Sequence, residues 1–235
     1  MKYTDLLVGG LCLFCACSSP QKNPIDYVDP FIGTGFHGHT YPGATAPFGA
    51  VQLSPDTRRG NWDASSGYHY SDSTILGFSH THLSGTGCQD LGDVLLRPTT
   101  QPVLLEGEGD IFLPAAFSHD SEKATPGYYA VTLAEEQIKV ELAASTFAGM
   151  HRYTYLNDKD ASVIVDLTHI LNTDDFIYEA ELKQTADNEI VGMRRTRSWV
   201  DNQYIYFVLQ FSKPIQEWQQ LNDKQGVAHF GPERE

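Results

Sequence analysis

Apolar and polar residues alternate with a period of two through much of the second half of the chain. Tyr129, Val131 and Leu133 alternate with Ala130, Thr132 and Ala134, and Ile138, Val140 and Leu142 alternate with Lys139 and Glu141. Successive residues of a strand face opposite sides, so this pattern predicts half-buried strands. His151 to Leu156, Ser162 to Leu167, Tyr178 to Gln184, Glu189 to Arg195 and Tyr204 to Phe211 share the β-branched and aromatic composition of strands, broken by Asn-Asp and Asp-Asn turns. Ile205, Phe207, Leu209 and Phe211 make one strongly apolar face, which predicts a central strand. No stretch shows three turns of helical periodicity, and no internal repeat is present. The pattern predicts an all-β fold, an antiparallel β-sandwich.

The first half is punctuated by glycine and proline, which enforce turns: Asp29-Pro30, Gly33-Thr34-Gly35, Gly38, Pro42-Gly43 and Pro47-Phe48-Gly49. Short strands are expected at Ala50 to Leu53, ended by Ser54-Pro55-Asp56, at Thr74 to Phe78, and at Asp93 to Leu96, closed by Pro98. Between the last two lies Phe78 to Asp93, where three glycines thread through two histidines, hydroxyls, a thiol, an amide and carboxylates. No helix tolerates such a run. As a loop it can gather polar side chains and bare N–H groups on one surface.

Several chemistries are open to these residues. On a continuing strand, His80 and His82 would point to one side, and with His37 and His39 they could form a four-histidine metal site. They could equally hydrogen-bond a sugar or neighbouring loops. Ser84 with His80 or His82 and Asp90 has the residue types of a nucleophilic triad, but spacing alone does not define one. Asp90 and Asp93 could act as an acid/base pair or cap turns. Cys88 could be a nucleophile or a buried, inert thiol. Trp62, Tyr68 and Tyr70 fit a sugar platform, because an aromatic face packs on the C–H face of a pyranose, or they pack over the rim of the sandwich.

A net charge of −14 argues against nucleic acid or an anionic membrane surface as partner and suits a neutral ligand. The amino terminus reads as a targeting segment. Leu6 to Phe14 form an apolar core too short to span a bilayer, followed by Cys15-Ala16-Cys17. A small residue before cysteine resembles a lipoprotein signal. Residues 1–16 are therefore expected to leave, Cys17 to carry the lipid, 17–24 to form a polar tether, and 25–235 to fold. An ordinary secretory signal is the alternative, and both export the protein. Cys88 then stands alone, so no disulfide framework is available.

Ordered blocks of residues resemble a known family. Tyr27-Val28-Asp29-Pro30-Phe31-Ile32-Gly33-Thr34-Gly35 is followed by Gly38-His39-Thr40-Tyr41-Pro42-Gly43-Ala44-Thr45-Ala46-Pro47-Phe48-Gly49 and Val51-Gln52-Leu53-Ser54-Pro55-Asp56-Thr57. Gly67-Tyr68-His69-Tyr70, Gly77-Phe78-Ser79-His80-Thr81-His82-Leu83-Ser84-Gly85-Thr86-Gly87, Pro126-Gly127-Tyr128-Tyr129 and Arg152-Tyr153 continue in the same order. These are similar to the start of glycoside hydrolase family 92. The resemblance covers nearly the whole exported chain and is weakest after about Asp223.

The resemblance implies a calcium-dependent, inverting exo-α-mannosidase, in many members acting on α-1,2 links of N-glycans or mannan. It implies a galactose mutarotase-like supersandwich before a larger (α/α)6 barrel, with the site between them. Family catalytic carboxylates and most calcium ligands belong to the barrel, which this chain lacks, so no catalytic residue is expected here. Trp62, His80, His82, Cys88, Asp90 and His39 are implied as sugar-pocket or interface residues. The implied partners are mannose-containing glycans and the barrel, with membrane contact only through the lipid, in the periplasm or at the outer membrane. The alternative is a stand-alone glycan-binding sandwich without hydrolytic activity.

Overall fold

A computed structural model describes residues 22–103, 113–156, 160–174 and 176–231. The signal segment and Cys17 lie outside the described residues. Helical structure among the described residues is confined to 3-10 turns at Pro24–Tyr27, Trp62–Ala64 and His119–Ser121. No helix there is long and apolar enough to cross a membrane.

A seven-stranded antiparallel sheet forms one layer, in the order Ala44–Thr45, Gln52–Asp56, Gly77–Ser79, Leu95–Thr99, Ser162–Asp166, Gln225–His229, Glu217–Asn222. Pairing places Phe78 opposite Leu96, Leu96 opposite Val165, and Val163 opposite Ala228, so these side chains share a face. Two smaller sheets cover that face. A four-stranded sheet (Lys123–Thr125, Tyr128–Leu133, Ile138–Ala144, Gly149–Tyr155) packs Tyr129, Val131, Val140 and Leu142 against Leu53 and Phe78. A three-stranded sheet (Phe176–Ala186, Glu189–Arg197, Gln203–Gln210) packs Ala180, Leu182 and Ile190 against Leu96, Val163 and Val165. Tyr153 packs against both cores. Burying each large aliphatic side chain contributes about 2 kcal/mol, so two such cores can hold the sandwich without disulfides.

The alternating segments form strands as expected. Three details differ. Gln203–Gln210 is an edge strand, because Glu189–Arg197 is the one strand it pairs with among the described residues, and its outward residues Tyr204, Tyr206 and Val208 are exposed. Pro98 lies inside Leu95–Thr99 rather than ending it, since the neighbouring Gly77–Ser79 strand pairs only at Phe78 and asks nothing of Pro98 on that side. Asp56 lies within a strand rather than in a turn after it.

A polar chain links the layers. The Tyr153 hydroxyl donates to His151 Nδ1 (2.8 Å), His151 Nε2 donates to His80 Nε2 (3.0 Å), and His80 Nδ1 donates to the Val94 carbonyl (2.6 Å). The Val94 carbonyl can only accept, so His80 Nδ1 carries a hydrogen; burial keeps both rings neutral, and His151 Nε2 is then the donor to His80 Nε2. Burial pushes His80 down to about 4, and burial with the neighbouring His80 pushes His151 well below the usual range. The folded form thus resists protonation that an unfolded histidine accepts near pH 6.5, so stability is present above that pH and is lost as pH falls toward 4. Urea unfolding at pH 7.5 and pH 5 should differ by about 2 kcal/mol from His80 alone. Equal stabilities at the two pH values would contradict the neutral chain.

Candidate functional site

The segment after Ser79 leaves the seven-stranded sheet and closes on itself at a neck. His80 N donates to the Asp93 carbonyl (2.9 Å), Gly92 N to the Thr81 carbonyl (2.9 Å), and Thr81 Oγ1 to Asp93 Oδ2 (2.7 Å). Beneath the loop lies Asp56, fully buried on the sheet face turned away from the two cores. His82 Nε2 donates to Asp56 Oδ1 (2.7 Å) and His169 Nε2 to Oδ2 (2.8 Å). His82 Nδ1 donates to the Gln52 carbonyl (2.7 Å), so both ring nitrogens of His82 face acceptors. Burial raises the Asp56 carboxyl, but the His82 charge and the bonds from both imidazoles outweigh it and hold it below the usual carboxylate range. Gly67, at φ +89°, lies so close that a Cβ there would sit 2.0 Å from Asp56 Oδ1.

The upper surface is made by three loops meeting. Gly85 N donates to the His39 carbonyl (2.6 Å), which holds the loop tip on the 33–43 segment. The His39 ring packs edge-on against Trp62, with centroids 4.3 Å apart, and Gly87 fits against both rings. His37 pairs with Asp63 and packs at a tilt against Phe36. Trp62 is 55% exposed, whereas His39 is buried and its Nε2 has no partner among the described residues. Phe36, His39, Leu91 and Val94 all adopt left-handed backbone, a strain that surrounding contacts must hold in place. Beside this rim, Cys88 and Gln89 line an open cleft of about 670 Å³ with Asn172, Arg197 and Trp199.

The expected site residues thus fall into two groups. Trp62, His39 and Cys88 lie on or beside the rim. His80, His82 and Asp90 serve the scaffold: Asp90 is buried, accepting from Leu91 N and Trp199 N. His80 and His82 do not share a side, because the strand ends at Ser79 and the chain turns, sending one ring to His151 and the other to Asp56. No four-histidine centre forms among the described residues. The nearest serine to His82 is Ser79, at 3.0 Å, but it approaches the same nitrogen as Asp56, so no relay through the ring exists. Asp93 is not poised as an acid or base. It is buried against Thr81, Gln203 and Arg194. Tyr68 is a core residue, with its hydroxyl on Glu122, so the exposed aromatics of that segment are Trp62 and Tyr70. Sequence reading missed Asp56 and His169, which are separated by 113 residues. It also missed Trp199 and Arg197, whose strand ends reach the cleft only through sheet pairing.

Calcium calls for several oxygen ligands. Here the carboxylates of Asp56, Asp90 and Asp93 are committed to imidazoles, backbone N–H groups, Thr81, Gln203 and Arg194. Among the described residues no group of three His, Cys, Asp or Glu could hold a metal ion. The donor set does not fit calcium, and no chemistry is routed through one here.

The architecture defines an antiparallel β-sandwich domain whose edge carries Trp62 packed on His39. Residues 27–232 match the N-terminal domain of glycosyl hydrolase family 92, and the chain belongs to that family. The family GH92 α-mannosidase BT3965 from Bacteroides thetaiotaomicron, solved in complex with mannoimidazole, is 36% identical with a TM-score of 0.80, over 88% of this chain and 30% of that one. The GH92 glycosyl hydrolase ccman5 is 29% identical with a TM-score of 0.75, over 88% of this chain and 30% of that one. A protein described as an uncharacterized secreted glycosidase from Arthroderma benhamiae is 29% identical over 189 residues, 72% of this chain and 23% of its own length. This chain therefore spans less than a third of the relatives it matches.

Two substitutions test the buried hub. Gly67→Ala should cost more than about 2 kcal/mol in urea unfolding, since it adds left-handed strain and a clash with Asp56. Asp56→Asn should cost about 3–5 kcal/mol by removing the buried carboxylate on which two imidazoles converge. Because the Asp56 carboxyl is held low, its contribution is present above about pH 4 and is lost below it. Wild-type stability in either variant would remove the hub from this role.

Proposed function

We propose that this chain supplies the sugar-facing rim of an exported, calcium-dependent, inverting exo-α-mannosidase acting on α-1,2 links of N-glycans or mannan. The carrying observation is the exposed Trp62 ring braced by His39, whose buried Nε2 lacks a partner. A pyranose stacked on Trp62 would offer a hydroxyl to that nitrogen, which costs free energy while it stays unpaired. Family membership, the likeness to an α-mannosidase and the secreted relative support the wider reading. A lipid anchor at Cys17 belongs to the same proposal.

An inverting hydrolysis needs one carboxylic acid on the leaving oxygen and one carboxylate that activates water across the ring. Asp56, Asp90 and Asp93 are each tied to protein donors, so this chain's part is binding and orientation. Trp62 and His39 would orient the sugar, Cys88 would border it, and the Asp56 hub would hold the loop that carries Cys88. Acid, base and calcium would come from a barrel docked on the rim.

Calorimetry with mannose and mannoimidazole tests this on the purified chain, alongside hydrolysis of α-1,2-mannobiose with calcium present. Saturable binding is expected, weakened roughly tenfold in Trp62→Ala, with no hydrolysis. Hydrolysis by this chain alone would place the acid and base here instead. Lack of binding to either sugar would overturn the rim assignment.

A further inference from the structure

A line of aromatic residues leaves the cleft and runs out over the three-stranded sheet. It starts at Phe176 and Trp199, which line the cleft. Phe176 meets Tyr178 at 5.1 Å between ring centroids. The Arg195 guanidinium lies 4.8 Å from the Tyr178 centroid and 5.3 Å from that of Tyr204. Tyr204 and Tyr206 follow, with centroids 6.5 Å apart and planes within 6°. Register explains the order. Glu179, Arg195 and Tyr204 form one cross-strand row, and Glu181, Met193 and Tyr206 form the next, farther from the cleft.

This surface differs from an ordinary sheet exterior in two ways. Its rings are exposed, 49% at Tyr204 and 72% at Tyr206, yet two of them are parallel. Arg195 is also fixed, by cation–π contact on two sides and by hydrogen bonds of 2.6 and 3.1 Å to Asn202 Oδ1. Two exposed rings with parallel planes suit a chain of flat units. Glu179 and Glu181 flank them with acceptors. A net charge of −14 disfavours a polyanion, and aromatic faces flanked by acceptors suit a neutral polymer rich in hydroxyls.

We propose that Tyr178, Arg195, Tyr204 and Tyr206 form an extended glycan track, which binds the inner residues of an oligosaccharide or polysaccharide whose terminal sugar stacks on Trp62 and whose next units cross the adjoining cleft. The proposal rests on the sugar-binding reading of the rim and deepens it: the preferred ligand is a chain, not a single terminal unit. Tyr204 and Tyr206 stack on successive pyranose faces. Arg195 and the acidic rows take hydroxyls.

The test compares α-mannobiose with α-mannotetraose by calorimetry on the purified chain. The tetraose should bind roughly tenfold more tightly than the biose. In Tyr204→Ala/Tyr206→Ala that advantage should vanish while biose affinity stays as in wild type. Tyr206→Phe, which keeps the ring, should keep the advantage. Tyr206 is largely exposed and Tyr204 loses only a surface contact with Arg195, so thermal unfolding should fall by no more than a few degrees. If wild type binds both sugars equally, or the double variant keeps its preference for the tetraose, the track is refuted and the rim reading stands. If wild type binds neither sugar, both readings fall.

Discussion

The loop architecture depends on one buried charge arrangement. Asp56, fully enclosed, accepts one imidazole from the loop after Ser79 and one from the segment after Ser162–Asp166. A carboxylate stripped of water is costly unless its oxygens are met by donors or opposite charge. Here both oxygens are met, and each partner comes from a different part of the chain. Gly67 closes the space above the carboxylate. Loss of any member therefore frees a loop as well as a bond, because the tight loops are held by these contacts and not by strands of their own.

The sandwich supplies the frame for this hub. One face of the seven-stranded sheet buries two adjoining apolar cores, while the other carries Asp56 and Ser54. The His80–His151–Tyr153 chain crosses between layers with each polar atom matched to a partner. Neighbouring histidines thus do different jobs. Burial pushes His80 down and keeps it neutral, while His82 donates to the buried Asp56 carboxylate. With the scaffold so committed, the contacts proposed for a sugar lie at the rim and the cleft beside it: Trp62, His39, Cys88 and the strand ends at Trp199 and Arg197.

Legibility in the sequence tracked the range of the interactions. The Tyr128–Leu133 and Ile138–Ala144 hairpin was readable because its partners are adjacent and its alternation is clean. Glu217–Asn222 was not. Its residues are largely polar, and its strand character comes from pairing with Gln225–His229, which itself pairs with Ser162–Asp166. At the site, the Gly-rich loop and Trp62 stood out by composition, and ordered motif blocks carried the family. The roles inside the loop did not show. His80 and His82 look equivalent in sequence, and only the end of the strand at Ser79 separates them.

The sequence by itself determined the all-β class, the strands that alternate, the acidic character and the membership of family 92. Each of these is written in local periodicity, composition or ordered motifs. Tertiary structure alone decided that Asp56 is a hub and not a turn residue, that Tyr68 is core, and that Gln203–Gln210 is an edge. The reason is physical. Whether a polar side chain faces a ligand or a buried partner depends on what lies across the fold, and His169 meets Asp56 from 113 residues away.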